Sequence, residues 1–191
     1  MDIIGAIKGA PVVDLALLVG FGTFFFLGVA QGAIRRLIGM GSMLFAFIVA
    51  GNMRDSAGDF LAGNWTQFDR GYNRLLAFVI IFIVVSVAST ITTQGFYKRT
   101  EISAEHPILD DVVGGLLGLV QGLMLLLFVV IILNSYALPP AHSGDVTQLR
   151  DAQRLIVDQS HISEWVKQVL APTFLHILSP LLPNDLVSLF H

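Results

Sequence analysis

The chain has 191 residues and a formal net charge of −3; hydrophobic residues make up 54% of it and charged residues only 13%, and its mean hydropathy is +0.75. A soluble domain carries roughly 25% charged residues, so the composition points to an integral membrane protein and offers no basic surface for nucleic acid. Cysteine is absent, which removes disulfides, thiolate chemistry and cysteine-based metal sites together.

The opening residues, Met1 to Pro11, lack a basic leader ahead of a short apolar core, so no cleaved signal peptide is predicted and the first hydrophobic segment is expected to stay in the mature protein. That segment forms a first span over residues 12–34, with Asp14 near its start and the pair Arg35-Arg36 closing it at headgroup level. A second apolar run covers 37–53. At about 1.5 Å per residue it reaches only about 25 Å, short for a bilayer core of about 30 Å. Ser42, Ala46 and Ala50 share one of its faces and favour close packing on the first span, giving an expected helical hairpin.

Residues 54–73 read as a polar interfacial connection, with Arg54, Asp55, Asp59, Asp69 and Arg70 beside Trp65 and Tyr72. The third span is expected over 74–97. It is apolar through Val85 and then carries Ser86, Ser89, Thr90, Thr92, Thr93 and Gln94. Hydroxyls in such a place bond back to their own helix carbonyls or line a hydrated vestibule. A short acidic linker, Glu101 to Asp111, leads to the fourth span, 112–136. From Val112 to Leu133 there are 22 residues without a charge, enough for about 33 Å of helix. Gly114, Gly118 and Gly122 recur every four residues on one face, with Gln121 beside them. Glycines so spaced let another helix approach backbone to backbone, and a neutral amide in lipid has to find a partner, so this helix is the expected packing hub.

After Pro139-Pro140 charge returns to ordinary density. Two amphipathic helices are predicted, Val146 to Gln159 and Ile162 to Leu178, the second with Ile162, Trp165, Val166, Val169 and Leu170 on one side and a bend or interruption at Pro172. Leu178 to Leu182 is too short for another span. The expected fold is therefore all-α: a polytopic membrane domain of four transmembrane helices over 1–138, and a C-terminal amphipathic helical tail over 139–191 that either lies on the membrane or caps the bundle. Basic residues concentrate at Arg35-Arg36 and Lys98-Arg99 on one side of this topology, which places that side in the cytoplasm and both termini outside it.

One stretch echoes another: Gly28-Val29-Ala30-Gln31-Gly32 matches Gly118-Leu119-Val120-Gln121-Gly122. Asp14, the glycines leading to Gln31-Gly32, Arg35-Arg36-Leu37-Ile38-Gly39, a second span, and then Leu109-Asp110-Asp111 with Gly114, Gly118 and Gln121-Gly122 follow in that order. In this combination the chain resembles the colicin V production protein (CvpA) family over residues 12 to about 136, and more loosely in the tail. The resemblance implies a bacterial inner-membrane protein with four helices, associated by name with production or export of a peptide toxin and without an established biochemical activity. Family members commonly carry Arg-Gly where this chain has Gln31-Gly32 and Gln121-Gly122. That departure leaves hydrogen bonding and packing, rather than a fixed positive charge, at those positions.

Catalysis is the less favoured reading. Asp110 and Asp111 with His106 could be drawn as a metal or acid-base group, but the sequence places no third ligand and no nucleophile with its base. The plainer reading makes Asp110 or Asp111 the cap of the fourth helix. His142, His161, His176 and His191 stand apart in the polar tail, so no metal or cofactor is expected. Asp14 reads either as an interfacial cap of the first helix or as an intramembrane carboxylate on an ion path. The expected protein is non-enzymatic, supports secretion or envelope homeostasis, and has the lipid bilayer, other membrane proteins or further copies of itself as partners. The competing expectation is an oligomeric channel or transporter lined by Ser86, Thr90, Thr93 and Gln121.

Overall fold

The structure, a computed structural model, describes residues 12–65, 70–96, 107–137, 154–158 and 160–183. Among them there is no strand, and four helices are long and apolar enough to cross a membrane. They are α1 (Val12–Gln31), α2 (Ala33–Asn64), α3 (Arg70–Phe96) and α4 (Pro107–Ala137). The described tail adds a π-type turn (Arg154–Asp158), α5 (His161–Trp165), a second π-type turn (Val166–Leu170), α6 (Ala171–Leu178) and a 3-10 turn (Ser179–Leu181).

The ends of the helices differ from the sequence expectation for identifiable reasons. The first span closes at Gln31 because Gly32 adopts φ 77 and ψ 167, a region open essentially to glycine alone. Arg35 and Arg36 therefore stand in the first turns of α2 and do not close α1. At its far end α2 continues through Arg54, Asp55 and Asp59 as far as Asn64, where a polar connection was expected. Asp55 and Asp59 stand one turn apart, and Arg74 of α3 meets them at 3.4 Å and 3.3 Å. Gly58 lies between them, and a Cβ there would come within 2.8 Å of the Arg74 Cα. Helix is favoured over loop because only a helix stacks these charges and this gap toward α3. With 32 residues, or about 48 Å, α2 is longer than a bilayer core requires, and the shortness read from its apolar run disappears.

The expected α1–α2 hairpin is also replaced. The two helices are consecutive but meet little; α1 pairs with α4, α2 pairs with α3, and the pairs join chiefly through α2 and α4. Ser42, Ala46 and Ala50 are buried as a small-residue face should be, on the helix that packs against α3.

The main hydrophobic cluster draws on the second half of α4, the middle of α2, α3 and the tail. At its centre Phe47 stacks on Phe128 with ring centroids 4.1 Å apart, while Phe78 meets Phe47 and Phe82 meets Phe128 edge to face. Phe174 of the tail approaches Phe47 and Phe128 at 6.1 Å and 5.6 Å. Val157, Val166, Ala171 and Leu175 are buried in the same cluster. The tail's inner edge is in part the one expected: Val166 is buried and Ile162 and Leu170 pack against the cluster, whereas Trp165 and Val169 are exposed and Ser163 and Ala171 are buried in their place. The wider π-type turn at Val166–Leu170 shifts the register between α5 and α6. Pro172 falls in the first turn of α6, where its missing N–H is harmless. Most of the predicted helix from Val146 to Gln159 lies outside the described residues.

Candidate functional site: a polar helix junction and a tail anchor

Most of the residues singled out in the sequence gather along the antiparallel face between α1 and α4. A Cβ placed on Gly28 would run into the carbonyl oxygen of Gly114, and one on Gly118 into the carbonyl oxygen of Phe24. One on Gly114 would come 2.5 Å from the Gly28 oxygen and 3.0 Å from the Gly32 Cα. Backbone faces backbone here, and no larger residue fits without separating the helices. Gly122 is a gentler case, because its neighbours are the rings of Phe21 and Phe24 at 3.0 Å and 3.2 Å. Gly115, not singled out in the sequence, is closed in by Phe25 and Val29.

At one end of this face the chain breaks at Gly32. The first N–H groups of a helix have no partner within it, and the glycine has no side chain to offer α2. Asp110 of α4 supplies the cap instead: its carboxylate accepts from the Ala33 N–H at 3.0 Å and lies directly against the Gly32 Cα. The acidic pair was expected to cap α4; Asp110 sits inside the first turn of α4 and caps a different helix. A carboxylate at a helix N-terminus is favoured both as an acceptor and by the helix dipole. Gly32 is thus constrained twice, by its backbone conformation and by the carboxylate it touches. Asp111 and Gln31 are both exposed.

One turn into α2, Arg36 turns inward. Its side chain is only 4% exposed, its Nη1 donates to Gln121 Oε1 at 2.6 Å, and its guanidinium carbon lies 5.9 Å from the centre of the Phe24 ring. Gln121 has found its partner in a cation, and Gly39 makes room for the amide, whose Nε2 would lie 3.3 Å from a Cβ there. Arg35 remains exposed. The sequence treated the two arginines alike as headgroup anchors; Arg36 departs from that because it follows Gly32 by four residues and so shares the face turned to α4.

Asp14 lies at the opposite end of α1 and takes part in none of this. It is buried and accepts from Ser160 Oγ at 2.5 Å, His161 N–H at 3.3 Å and Ile162 N–H at 3.5 Å. Ser160 is the N-cap of α5 and in turn accepts from the Ser163 N–H at 3.1 Å. Asp14 was read as a cap for its own helix or as a carboxylate on an ion path; its hydrogen bonds go to the start of the tail helix. Asn52 of α2 fixes the other end of the tail by donating to the Leu181 carbonyl at 2.9 Å.

The remaining candidates divide simply. Thr93 donates back to Ser89 O at 2.6 Å, as a hydroxyl on a membrane helix does, and Gln121 faces α2. His106, His142 and His191 lie outside the described residues, and among the described ones there is no group of three or more histidine or carboxylate side chains able to hold a metal ion. Sequence reasoning placed Arg36 at headgroup level and passed over Ser160 and Gly115. A serine just ahead of a helical segment, as Ser160 is, is an N-cap signal; nothing local marks which of two adjacent arginines turns inward.

The sequence profile of the colicin V production protein family matches residues 13–171, from the first turn of α1 to the first residue of α6. The chain belongs to the colicin V production protein family. No curated protein and no solved structure matches it. The family match takes in both polar constellations: the Gly32–Asp110–Arg36–Gln121 junction and the anchor of Asp14 on Ser160. It also reaches through α5, so the anchored part of the tail falls within the family's extent.

Proposed function

We propose that this colicin V production family protein is a non-enzymatic component of the bacterial inner membrane that supports production or secretion of a colicin V type toxin, or homeostasis of the envelope, by contact with other membrane proteins or further copies of itself. The observation that carries the reading is the family match over residues 13–171. The use made of the polar groups supports it: Asp14, Asp110 and Gln121 each join one helix to another segment, the work of a scaffold. The glycines of α1 and α4 act in this reading as a helix-packing device. The outer faces of α1 and α3, with Val19, Phe26, Ile83 and Ile91 exposed, are where lipid or partner helices are met.

The test is deletion of the gene in its own host, with toxin release and detergent sensitivity measured, followed by complementation. Wild type should restore both, while purified protein alone in liposomes should carry no conductance or solute flux. Flux from the purified protein would replace the accessory reading with an oligomeric channel. For orientation, the density of basic residues at Arg35, Arg36, Lys98 and Arg99 favours both termini in the periplasm. Single cysteines at Ser56 and Ser143 should then react with an impermeant thiol reagent in spheroplasts, and one at Ser103 should not; the reverse pattern inverts the topology.

A further inference from the structure

Arg36 is 4% exposed and makes one hydrogen bond, from Nη1 to Gln121. Its Nε and Nη2 are buried without a hydrogen-bond partner, and among the described residues no carboxylate lies within ion-pair distance of it. Asp110, on the same helix as Gln121, is used on the Ala33 N–H. An arginine in this state is unfavourable: a buried charge without a counter-charge is strongly destabilising, and a charged group inside a membrane helix marks a functional site by default.

Which nitrogens are left over is informative. Nε–H and the neighbouring Nη2–H point the same way and form one edge of the guanidinium plane, the edge that meets two oxygens of a phosphate or carboxylate at once. Gln121 takes the opposite nitrogen and holds the plane in place without touching that edge. Arg36 is four residues beyond the break at Gly32, and the amide it meets lies level with Gly39, about 10 Å along α2 from that break; exposed Arg35, nearer the end of the span, adds a second positive charge. Phe24, half-buried on α1, lies over the guanidinium with its ring centre 5.9 Å from the central carbon.

We propose that the Nε–Nη2 edge of Arg36 is a binding site for a phosphate oxyanion at the α1–α2 junction, supplied by an anionic lipid headgroup or by free phosphate. Gln121 is the positioning residue. The site discriminates by shape as well as charge, since lysine keeps the charge and loses the paired donors.

The experiment is native mass spectrometry of the full chain released from nanodiscs that contain phosphatidylglycerol and phosphatidylcholine, with inorganic phosphate as competitor. Wild type should retain phosphatidylglycerol, or phosphate, at least about tenfold more than Arg36→Gln, the scale of a lost charge-assisted hydrogen bond. Arg35→Gln should stay close to wild type. Displacement of the lipid by inorganic phosphate identifies the free ion as ligand; persistence of the lipid against phosphate identifies the headgroup. Equal retention by wild type and Arg36→Gln overturns the proposal, as does an equal loss in Arg35→Gln, which would reduce the effect to surface attraction. Should Arg36→Gln fail to fold, Arg36→Lys decides: retention at the wild-type level means that the paired edge binds nothing.

Discussion

α4 is packed in two different ways along its length. Its first half meets α1 through Gly114, Gly115 and Gly118, with carbonyl groups brought up to glycine Cα atoms; its second half presents Leu126, Leu127, Phe128, Val130 and Ile131 to α2, α3 and the tail. In lipid there is little hydrophobic gain in bringing two apolar helices together, so association rests on shape, close contact and hydrogen bonds. The glycine half achieves this by removing side chains, and polar groups follow, because a close junction is where Asp110 can reach Ala33 and Gln121 can reach Arg36. The phenylalanine half achieves it by interlocking rings. Asp110 and Gln121, with which α4 reaches α2, therefore lie at its glycine end, and the tail is held at the aromatic end.

The contrast is broken most severely at the rings. Phe128 is 1% exposed and touches Phe47, Phe82 and Phe174. Phe128→Ala should lower stability by about 3–5 kcal/mol, the usual range for a buried phenylalanine. Thermal unfolding in detergent micelles measures it, and a loss below about 1 kcal/mol would show that this cluster tolerates a gap.

At the glycine end the expected change is smaller and of opposite kind. Gly28→Ala and Gly118→Ala add one carbon against a carbonyl oxygen and should be destabilising by about 1–3 kcal/mol. Gly122→Ala, which meets only the flexible rings of Phe21 and Phe24, should do less harm. The spacing of the three glycines of α4 treats them as equivalent; the geometry ranks them. If Gly122→Ala proves as damaging as Gly118→Ala, close backbone approach is not what distinguishes this half of the helix.

How much of this was legible in the sequence follows from the range over which each feature is determined. Spans are set by composition within one segment, so all four were found, and glycines at a four-residue interval declare a shared face. The break at Gly32 was missed because one glycine among many in apolar sequence gives no sign of its φ. The outer part of α2 was taken for a loop because Arg54, Asp55 and Asp59 look like loop residues until Arg74 is known to stand opposite them. The anchor of the tail joins Asp14 to Ser160, 146 residues away, and no local pattern at either residue names the other.

That anchor gives the next prediction. Asp14→Ala removes the acceptor for Ser160 and for the first N–H groups of α5, a loss comparable to that of a helix cap, about 0.5–2 kcal/mol. The effect should be local. Hydrogen exchange in residues 160–170 should rise while the protection of α4 is unchanged, because Phe174 and Leu175 still hold the tail in the aromatic cluster. Equal deprotection of both regions would mean that tail and bundle open as one unit.

The smallest expected effect separates close packing from glycine content as such. Gly41 lies on an exposed part of α2, and a Cβ there would meet nothing within 4 Å. In a helix interior glycine is less favourable than alanine by about 0.8–1.0 kcal/mol, part of which reflects the freedom of the unfolded chain, so Gly41→Ala should leave stability unchanged or raise it slightly. Gly118→Ala has the same chemistry with the opposite expected sign, and the pair measured in one detergent isolates the contact from the propensity. A clear loss at Gly41 would show that this open face is covered by something in the membrane. Crosslinking a cysteine at Ser56, on the same helix, would then tell whether that cover is a second copy of the chain.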